Sequence, residues 1–164
     1  MGKIGKLKLC FERIGGFQLD RFVDRKLLQK KVYFLQEFGI NLGYYFGFYL
    51  FGPYCSELTN DAFFLVALVD QAPMTLEIAE LSSEEEEVIE RAREFFDGFK
   101  GEKADIASKL ELLSSLHFLW SISHFQNKSK EEVFRKLKAK KQIFTDDDLE
   151  NAWKYLVAYG LINS

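Results

Sequence analysis

The stretch 25–58 constrains the fold most, because it joins two helix-type patterns through an aromatic run and a Gly-Pro pair. Apolar residues recur at spacings of three and four over 24–38, which predicts an amphipathic helix with one wide buried face. Asp24 precedes the pattern and is a suitable N-cap, and Gly39 follows it in the usual C-terminal position. We therefore expect a helix that is followed directly by the aromatic run.

The aromatic run 44–51 reads YYFGFYLF and predicts a β-strand by composition. Both alternating faces are apolar, whereas a strand of a small sheet normally has one wet face. Either both faces are covered, or one of them presents aromatic rings to a partner. Gly52 and Pro53 are expected to turn the chain. The next pattern, 56–69, is apolar nearly all round, which predicts a central, buried helix.

The rest of the chain predicts further helices and no linker long enough to divide it. These helices are expected at 3–14, 83–96, 104–125, 129–141 and 145–159. Capping-box patterns open three of them, at Ser83–Glu86, Ser129–Glu132 and Thr145–Asp148. A short strand at 75–81 could pair with 44–51.

The predicted fold is mainly α with a small antiparallel β-ribbon (α+β), winged-helix-like, with six to seven helices. One domain is expected over 1–164, with a helix and ribbon core motif in 1–81 and supporting helices in 82–164. Aromatic residues make up 16% of the chain, so either the core is rich in Phe or some rings are exposed for a partner.

Charge and cysteine content limit the classes of function. The net charge of -3 argues against a dedicated nucleic-acid binder. Two cysteines outside any C-x-x-C pattern favour a reduced, cytoplasmic location. No uncharged apolar stretch reaches about 18 residues, so no transmembrane helix and no membrane partner are expected.

Catalytic, metal and cofactor sites are not predicted. The sequence has neither of the Gly-rich phosphate-loop patterns. His117 and His124 are seven positions apart, about 10 Å along a helix, too far to share one ion. We expect His117 to be a hydrogen-bonded core residue. Cys10 and Cys55 are expected to be small buried residues, although a hydrolase that uses Cys55 at a helix start is an alternative.

A DNA-binding role is the main alternative to a protein-binding role. The patterns 129–141 and 145–159 have helix-turn-helix proportions, but the second helix begins with acidic residues at 146–148, which would repel phosphates. If DNA is bound, the better surface is the basic side of the helix 24–38, with the aromatic ribbon as a wing. That surface would use Arg25, Lys26, Lys30 and Lys31.

The run RKLLQKKVYFLQEFG, followed by an aromatic strand and FGPYCSEL, resembles the YwgA-type family of small prokaryotic proteins. More loosely, it resembles the Panacea domain of prophage and toxin–antitoxin loci. The pattern is met by Lys26, Leu28, Gln29, Lys30, Val32, Tyr33, Gly52, Pro53, Tyr54 and Leu58. Cys55 stands where the family usually has a serine that would cap the next helix, so either Ser56 caps it or the helix begins slightly later.

The resemblance implies no catalytic constellation. Panacea-type proteins look like neutralising partners of toxins that act by protein contact. We therefore expect a non-enzymatic protein-interaction or regulatory module, antitoxin-like, whose partner is another protein or a second copy of this chain. The predicted partner-binding residues are Lys26, Gln29, Lys30, Tyr33, Tyr45, Tyr49 and Tyr54. The runner-up is a DNA-binding winged-helix regulator, with nucleic acid as a possible but less favoured partner.

Overall fold

The computed structural model of the protein describes residues 2–71, 80–124 and 129–163. Within these ranges the chain forms seven α-helices and one two-stranded antiparallel hairpin. The elements are α1 (Gly2–Ile14), α2 (Phe22–Phe38), β1 (Gly47–Tyr49), β2 (Gly52–Tyr54), α3 (Ser56–Gln71), α4 (Ser83–Asp97), α5 (Lys103–His124), α6 (Lys130–Lys140) and α7 (Asp146–Ala158). The prediction of a mainly α fold with a small antiparallel ribbon is confirmed, while a winged-helix arrangement stays a prediction.

Helices α2 and α5 form the centre of the molecule. Helix α2 packs against α3, α4, α5 and β2, and α5 packs in addition against α6, α7 and β2. Leu28 and Val32 of α2 and Leu110 and Leu116 of α5 are fully or almost fully buried. Burial of each such side chain stabilises the fold by about 1.5–3 kcal/mol. None of the helices in the described ranges combines the length and the apolar character needed to cross a membrane.

Helix α3 is not the central helix, and the prediction that it is buried nearly all round is wrong. Leu58 and Ala62 are fully buried, but Phe63, Phe64 and Val66 are exposed. The reason is that α3 packs against α1 and α2, while α5 occupies the centre. A helix that is apolar on all sides therefore leaves part of its surface uncovered here.

The hairpin is shorter and turns earlier than predicted. Strand β1 covers only 47–49 of the predicted strand 44–51, and the chain turns at Leu50 and Phe51. Gly52 and Pro53 do not form the turn, because they belong to β2, where Gly52 pairs with Tyr49. The partner of β1 is therefore the segment directly after it. Of the strand predicted at 75–81, residues 75–79 lie outside the described residues.

Gly52 has a specific steric role in this hairpin. Its φ of +89° lies in the left-handed region that favours glycine. A Cβ at this position would overlap the Oγ of Ser115 on α5 and would lie 3.4 Å from the Nζ of Lys30 on α2. The hairpin can therefore approach both central helices closely only because residue 52 has no side chain.

Two helices are capped at an earlier residue than predicted. In α4 the capping box uses Ser82 and Glu85, one residue before the predicted start at Ser83. In α2 the N-cap is Arg21, whose backbone N–H donates to Asp24 Oδ2 at 3.1 Å. Asp24 thus closes the first turn from inside, as the acidic residue at the third helical position does in a capping box.

The predicted starts of α6 and α7 are confirmed. Thr145 Oγ1 accepts from the backbone N–H of Asp148 at 3.1 Å, and Asp148 Oδ2 accepts from the backbone N–H of Thr145 at 2.9 Å. Ser129 Oγ accepts from the backbone N–H of Glu132 at 3.3 Å. Local side-chain chemistry therefore determines where these two helices begin.

Candidate protein-interaction surface

Two glutamines of α2 hold the two ends of the hairpin. Gln36 Nε2 donates to Tyr44 O at 2.8 Å, and Gln36 Oε1 accepts from Tyr44 N–H at 2.9 Å. Gln29 makes the same pair of bonds with Cys55, at 2.8 and 2.9 Å. Seven positions separate the glutamines, which puts them on one face of the helix, about 10 Å apart. The hairpin segment, defined as 44–55, is thus fixed to α2 at both ends.

The amine of Lys30 holds β2 between these two glutamines. Lys30 is 2% exposed, and its Nζ donates to Pro53 O at 2.7 Å. Burial lowers the pKa of Lys30 to about 7; Glu111 raises it, and Lys26 and Lys141 lower it further. A buried amine beside two other amines holds its proton weakly, because charge is costly to desolvate.

Glu111 of α5 neutralises the two neighbouring lysines. Lys141 Nζ lies 2.7 Å from Glu111 Oε2, and Lys26 Nζ pairs with Glu111 Oε1. Burial raises the pKa of Glu111, but the hydrogen bonds from Lys141 and Lys26 outweigh it, so the net pKa is lowered. Lys141 also donates to the backbone O of Leu50. The turn of the hairpin is therefore tied to α5 and to the end of α6.

The inner face of the hairpin segment packs on the core. The Phe46 ring lies 5.4 Å from the Tyr33 ring, and the Phe48 ring lies 5.8 Å from the Phe118 ring, centroid to centroid. Tyr44 is 3% exposed. The even-numbered residues 44, 46 and 48 therefore share the inward face, as the alternation predicted that they share one face. The same alternation placed Leu50 with them, which is wrong, because Leu50 lies in the turn and is exposed.

The outer face of the hairpin segment is uncovered and apolar. Tyr45 is 89% exposed, Leu50 78% and Tyr49 61%. Phe51 and Tyr54 are also exposed, and these five residues are called the hairpin outer face. The Tyr49 and Tyr54 rings stand edge to face at 5.7 Å. Clustered apolar side chains of this kind mark interaction surfaces more often than scattered ones do.

The predicted partner-binding residues fall into two groups in the structure. Three of them lie on the hairpin outer face: Tyr45, Tyr49 and Tyr54. Four of them point inward and make internal contacts: Lys26, Gln29, Lys30 and Tyr33. The inward group positions the hairpin segment, and the outward group is available to a partner.

Sequence reasoning missed three residues that build this surface. Gln36 repeats the role of Gln29 one heptad later, and that spacing was visible in the sequence. Glu111 is an acid within an apolar helical row, which signals a buried ion pair. Lys141 carries no such signal, because its position at the end of a basic helix resembles an ordinary solvated lysine.

The basic residues proposed for DNA contact do not form an exposed row. Arg25 Nη1 donates to Leu19 O at 2.7 Å. Lys31 lies with its Nζ 5.8 Å from the centre of the Phe96 ring, and burial lowers its pKa. Lys26 and Lys30 make the internal contacts described above.

His117 is a hydrogen-bonded core residue, as predicted. Its Nε2 lies 3.0 Å from Leu161 O, and its Nδ1 lies 2.7 Å from Tyr33 Oη. A carbonyl oxygen can only accept, so Nε2 carries the proton and Nδ1 accepts from the Tyr33 hydroxyl. Burial lowers the pKa of His117 to about 4, although the bond to Leu161 raises it. The side chain of His124 lies outside the described residues.

Both cysteines are buried, as expected for small core residues. Burial raises the pKa of Cys10 to about 11, which keeps this thiol protonated at neutral pH. No group of three or more His, Cys, Asp or Glu side chains in the described part of the chain could hold a metal ion.

Comparisons with protein-family models, with curated proteins and with solved structures found no match.

Proposed function

We propose that this protein is a non-enzymatic interaction module that presents the hairpin outer face to another protein or to a second copy of itself. The observation that carries the proposal is the exposure of five large apolar side chains within ten residues. The same segment is held on α2 by the bonds of Gln29, Gln36 and Lys30. A rigid support lowers the entropy lost on binding, so an exposed aromatic surface on such a support favours association.

The nature of the partner is proposed from the resemblance. A likeness to the Panacea domain favours a regulatory, antitoxin-like role, in which a protein is neutralised by contact. Aromatic residues contribute much of the binding energy at protein interfaces, since a tyrosine buries a large area at a small entropic cost. Tyr45 and Tyr49 are the tyrosines we expect to contribute most, because they are the most exposed.

The test compares two double variants in the full chain. Tyr45→Ser with Leu50→Ser removes the two most exposed side chains of the hairpin outer face. Phe63→Ser with Phe64→Ser removes exposed apolar side chains of α3 and is the matched control. Light scattering over a concentration series measures self-association, and affinity capture from a native extract identifies a different partner.

In the hairpin variant, we expect the affinity for a second copy or for the captured partner to fall at least tenfold. The α3 variant should keep the wild-type affinity. Loss in the α3 variant alone would contradict the proposal. A wild-type chain that stays monomeric and captures no protein would contradict it too.

DNA binding is tested in the same series. Arg25→Gln with Lys31→Gln removes two basic groups and spares the hairpin contacts of Lys26 and Lys30. Duplex binding by the wild-type chain at about 0.15 M salt, with a steep salt dependence that this variant reduces, would favour the DNA-binding regulator instead. Binding no stronger than the non-specific level would leave the protein-interaction proposal as the better one.

A further inference from the structure

A cavity of about 580 Å³ lies between the hairpin and α2. Its volume is within the range of about 300–1,000 Å³ that is usual for small-molecule sites. The cavity is formed by two structures that are firmly joined, since Gln29 and Lys30 bind the hairpin segment to α2 at its edge. Its shape is therefore largely pre-formed.

Aromatic rings make up much of the cavity wall. Phe22, Tyr49, Phe51 and Tyr54 all line it. The Phe22 and Phe51 rings are in edge-to-face contact, with centroids 5.0 Å apart. Walls of this kind fit a planar ring, because flat surfaces stack on or against aromatic faces with a large contact area.

The charged groups of the wall are all basic. Within the described residues the cavity is lined by Arg25, Lys26 and Lys30 and by no carboxylate. Lys26 is paired with Glu111, which lies outside the lining. Arg25 donates to Leu19 O alone among the described partners, so most of its five donors are available.

Lys30 is the second basic group of the wall that forms no ion pair with a carboxylate of the described residues. The residue is 2% exposed, and its amine makes one hydrogen bond within the described part of the chain, to Pro53 O. A protonated amine has three donors, so this bond leaves donor capacity at the buried side of the cavity. A neutral acceptor could take these hydrogen bonds, but only an anionic group would also offset the charge, and its bonds would be the stronger ones.

We propose that this cavity binds a small planar anion, namely an aromatic or conjugated ring that carries a carboxylate, sulfonate or phosphate group. The ring lies against the aromatic wall, and the acidic group is bound by Arg25 and Lys30. The cavity shares Tyr49, Leu50, Phe51 and Tyr54 with the hairpin outer face, whereas its basic residues lie on α2. The proposal does not depend on the protein-interaction role, because its occupant is a free small molecule and its acidic group is bound from α2.

The test uses anilinonaphthalene sulfonate, an aromatic anion with a planar naphthalene ring, whose fluorescence rises in an apolar site. N-phenylnaphthylamine has the same ring system without the sulfonate and serves as the uncharged probe. We expect one saturable site in the wild-type chain, with the anion bound at least tenfold more tightly than the uncharged probe. Equal affinities for the two probes would overturn the proposal.

Three variants locate the site. Arg25→Gln is expected to weaken binding of the anion about tenfold and to leave the uncharged probe unchanged, since charge-assisted bonds contribute roughly this much. Lys31→Gln, on the same helix but outside this cavity, is the matched control and should bind like the wild type. Tyr45→Ser alters the hairpin outer face without touching the cavity. If Tyr45→Ser weakens the anion and Arg25→Gln does not, the probe binds the outer face and the proposal is wrong.

The pH dependence gives an independent readout. The amine of Lys30 is faced by Glu111 from α5, by Lys26 from α2 and by Lys141 at the end of α6. The pKa of Lys30 is about 7 in the free protein, and a bound anion should favour its protonated form. Binding of the anion above pH 7 should therefore be accompanied by uptake of a proton by the Lys30 amine. Affinity for the sulfonate, which keeps its charge, is expected to fall as the pH rises above 7 and to be flat in Lys30→Met. A wild-type affinity without this slope would exclude Lys30 from the site, and Arg25→Gln tests the rest even if Lys30→Met fails to fold.

Discussion

Helices α2 and α6 both carry closely spaced lysines, yet they use them in opposite ways. In α2, Lys30 is almost completely buried and Lys26 pairs with the buried Glu111. In α6, Lys138 pairs with Asp146, and both side chains are exposed by 43% or more. Lys30 of α2 binds the hairpin and Lys26 pairs with a buried acid, whereas Lys138 of α6 contributes mainly charge at the surface.

This difference shows that the number of lysines in a helix does not predict how much positive charge the helix exposes to solvent. A lysine stem is apolar over most of its length, so it can enter a core if its amine finds an acceptor. On α2 the hairpin carbonyls and Glu111 provide these acceptors. The same arrangement weakens the DNA-binding interpretation, since that interpretation assumed a basic surface on α2.

The largest effect should follow from removing the buried acid. Glu111→Gln leaves the amines of Lys26 and Lys141 without a counter-charge in a poorly hydrated place. We expect the free energy of unfolding, measured by urea titration, to fall by about 3–5 kcal/mol. Glu150→Gln, which removes the half-exposed α7 partner of Lys130, is the control and should change it by no more than about 1 kcal/mol. Equal losses in the two variants would remove the distinction between the helices.

The glutamines of α2 should give the next largest effect. Gln29→Leu and Gln36→Leu each leave a backbone N–H and C=O of the hairpin segment without a partner, at an expected cost of about 2–4 kcal/mol. Amide hydrogen exchange should show faster exchange at Cys55 in the first variant and at Tyr44 in the second. Gln142→Leu, at an exposed position just after α6, should alter neither amide. Unchanged exchange at Cys55 in Gln29→Leu would show that the side chain does not hold the hairpin.

The pH dependence of stability should separate Lys30 from the lysines of α6. Lys30 releases its proton near pH 7 in the folded chain, whereas in the unfolded chain a lysine holds it to about pH 10.5. The unfolded state therefore binds more protons in this window, and stability rises with pH by up to about 1.4 kcal/mol per pH unit. Lys30→Met should lose this contribution, and Lys138→Met should keep it, in urea titrations compared at neutral and alkaline pH. If the free energy of unfolding had the same pH dependence in the wild type and in Lys30→Met, the lowered pKa of Lys30 would be contradicted.

The smallest effect is expected on α6. Lys138→Ala removes an exposed ion pair with Asp146, so the free energy of unfolding should change by no more than about 0.5 kcal/mol. The change should shrink further in high salt, because exposed charges are screened. A loss above about 1 kcal/mol, measured by thermal unfolding, would mean that the surface lysines of α6 also stabilise the fold.

The helices of this protein could be predicted from sequence, but the elements against which each helix packs could not. Periodic apolar residues and capping patterns are local features, and Thr145 with Asp148 formed the predicted capping box. The error at α3 has a different origin, because a pattern that is apolar all round does not reveal which helix occupies the centre. That place went to α5, whose own sequence mixes apolar residues with Glu111 and buried serines.

The candidate surface was predicted in part. The alternation in 44–49 correctly separated the inward Phe46 and Phe48 from the outward Tyr45 and Tyr49. The predicted position of the turn was wrong. The aromatic run has no polar residue near Leu50 that would mark the end of the strand. The turn is set instead by the bond of Lys141 to Leu50 O and by the close contact of Gly52 with α5.

The sequence by itself determined the helices, the apolar alternation of the hairpin and the absence of a pattern for phosphate binding. Each of these depends on residues within a few positions of one another, where hydrogen bonding and side-chain periodicity act locally. Only the tertiary structure decided that Lys26 and Lys30 of α2 face inward and that Lys138 of α6 lies at the surface. The physical reason is that a buried amine needs an acceptor, and for Lys26 and Lys30 the acceptors, Glu111 and Pro53 O, lie far away in the chain.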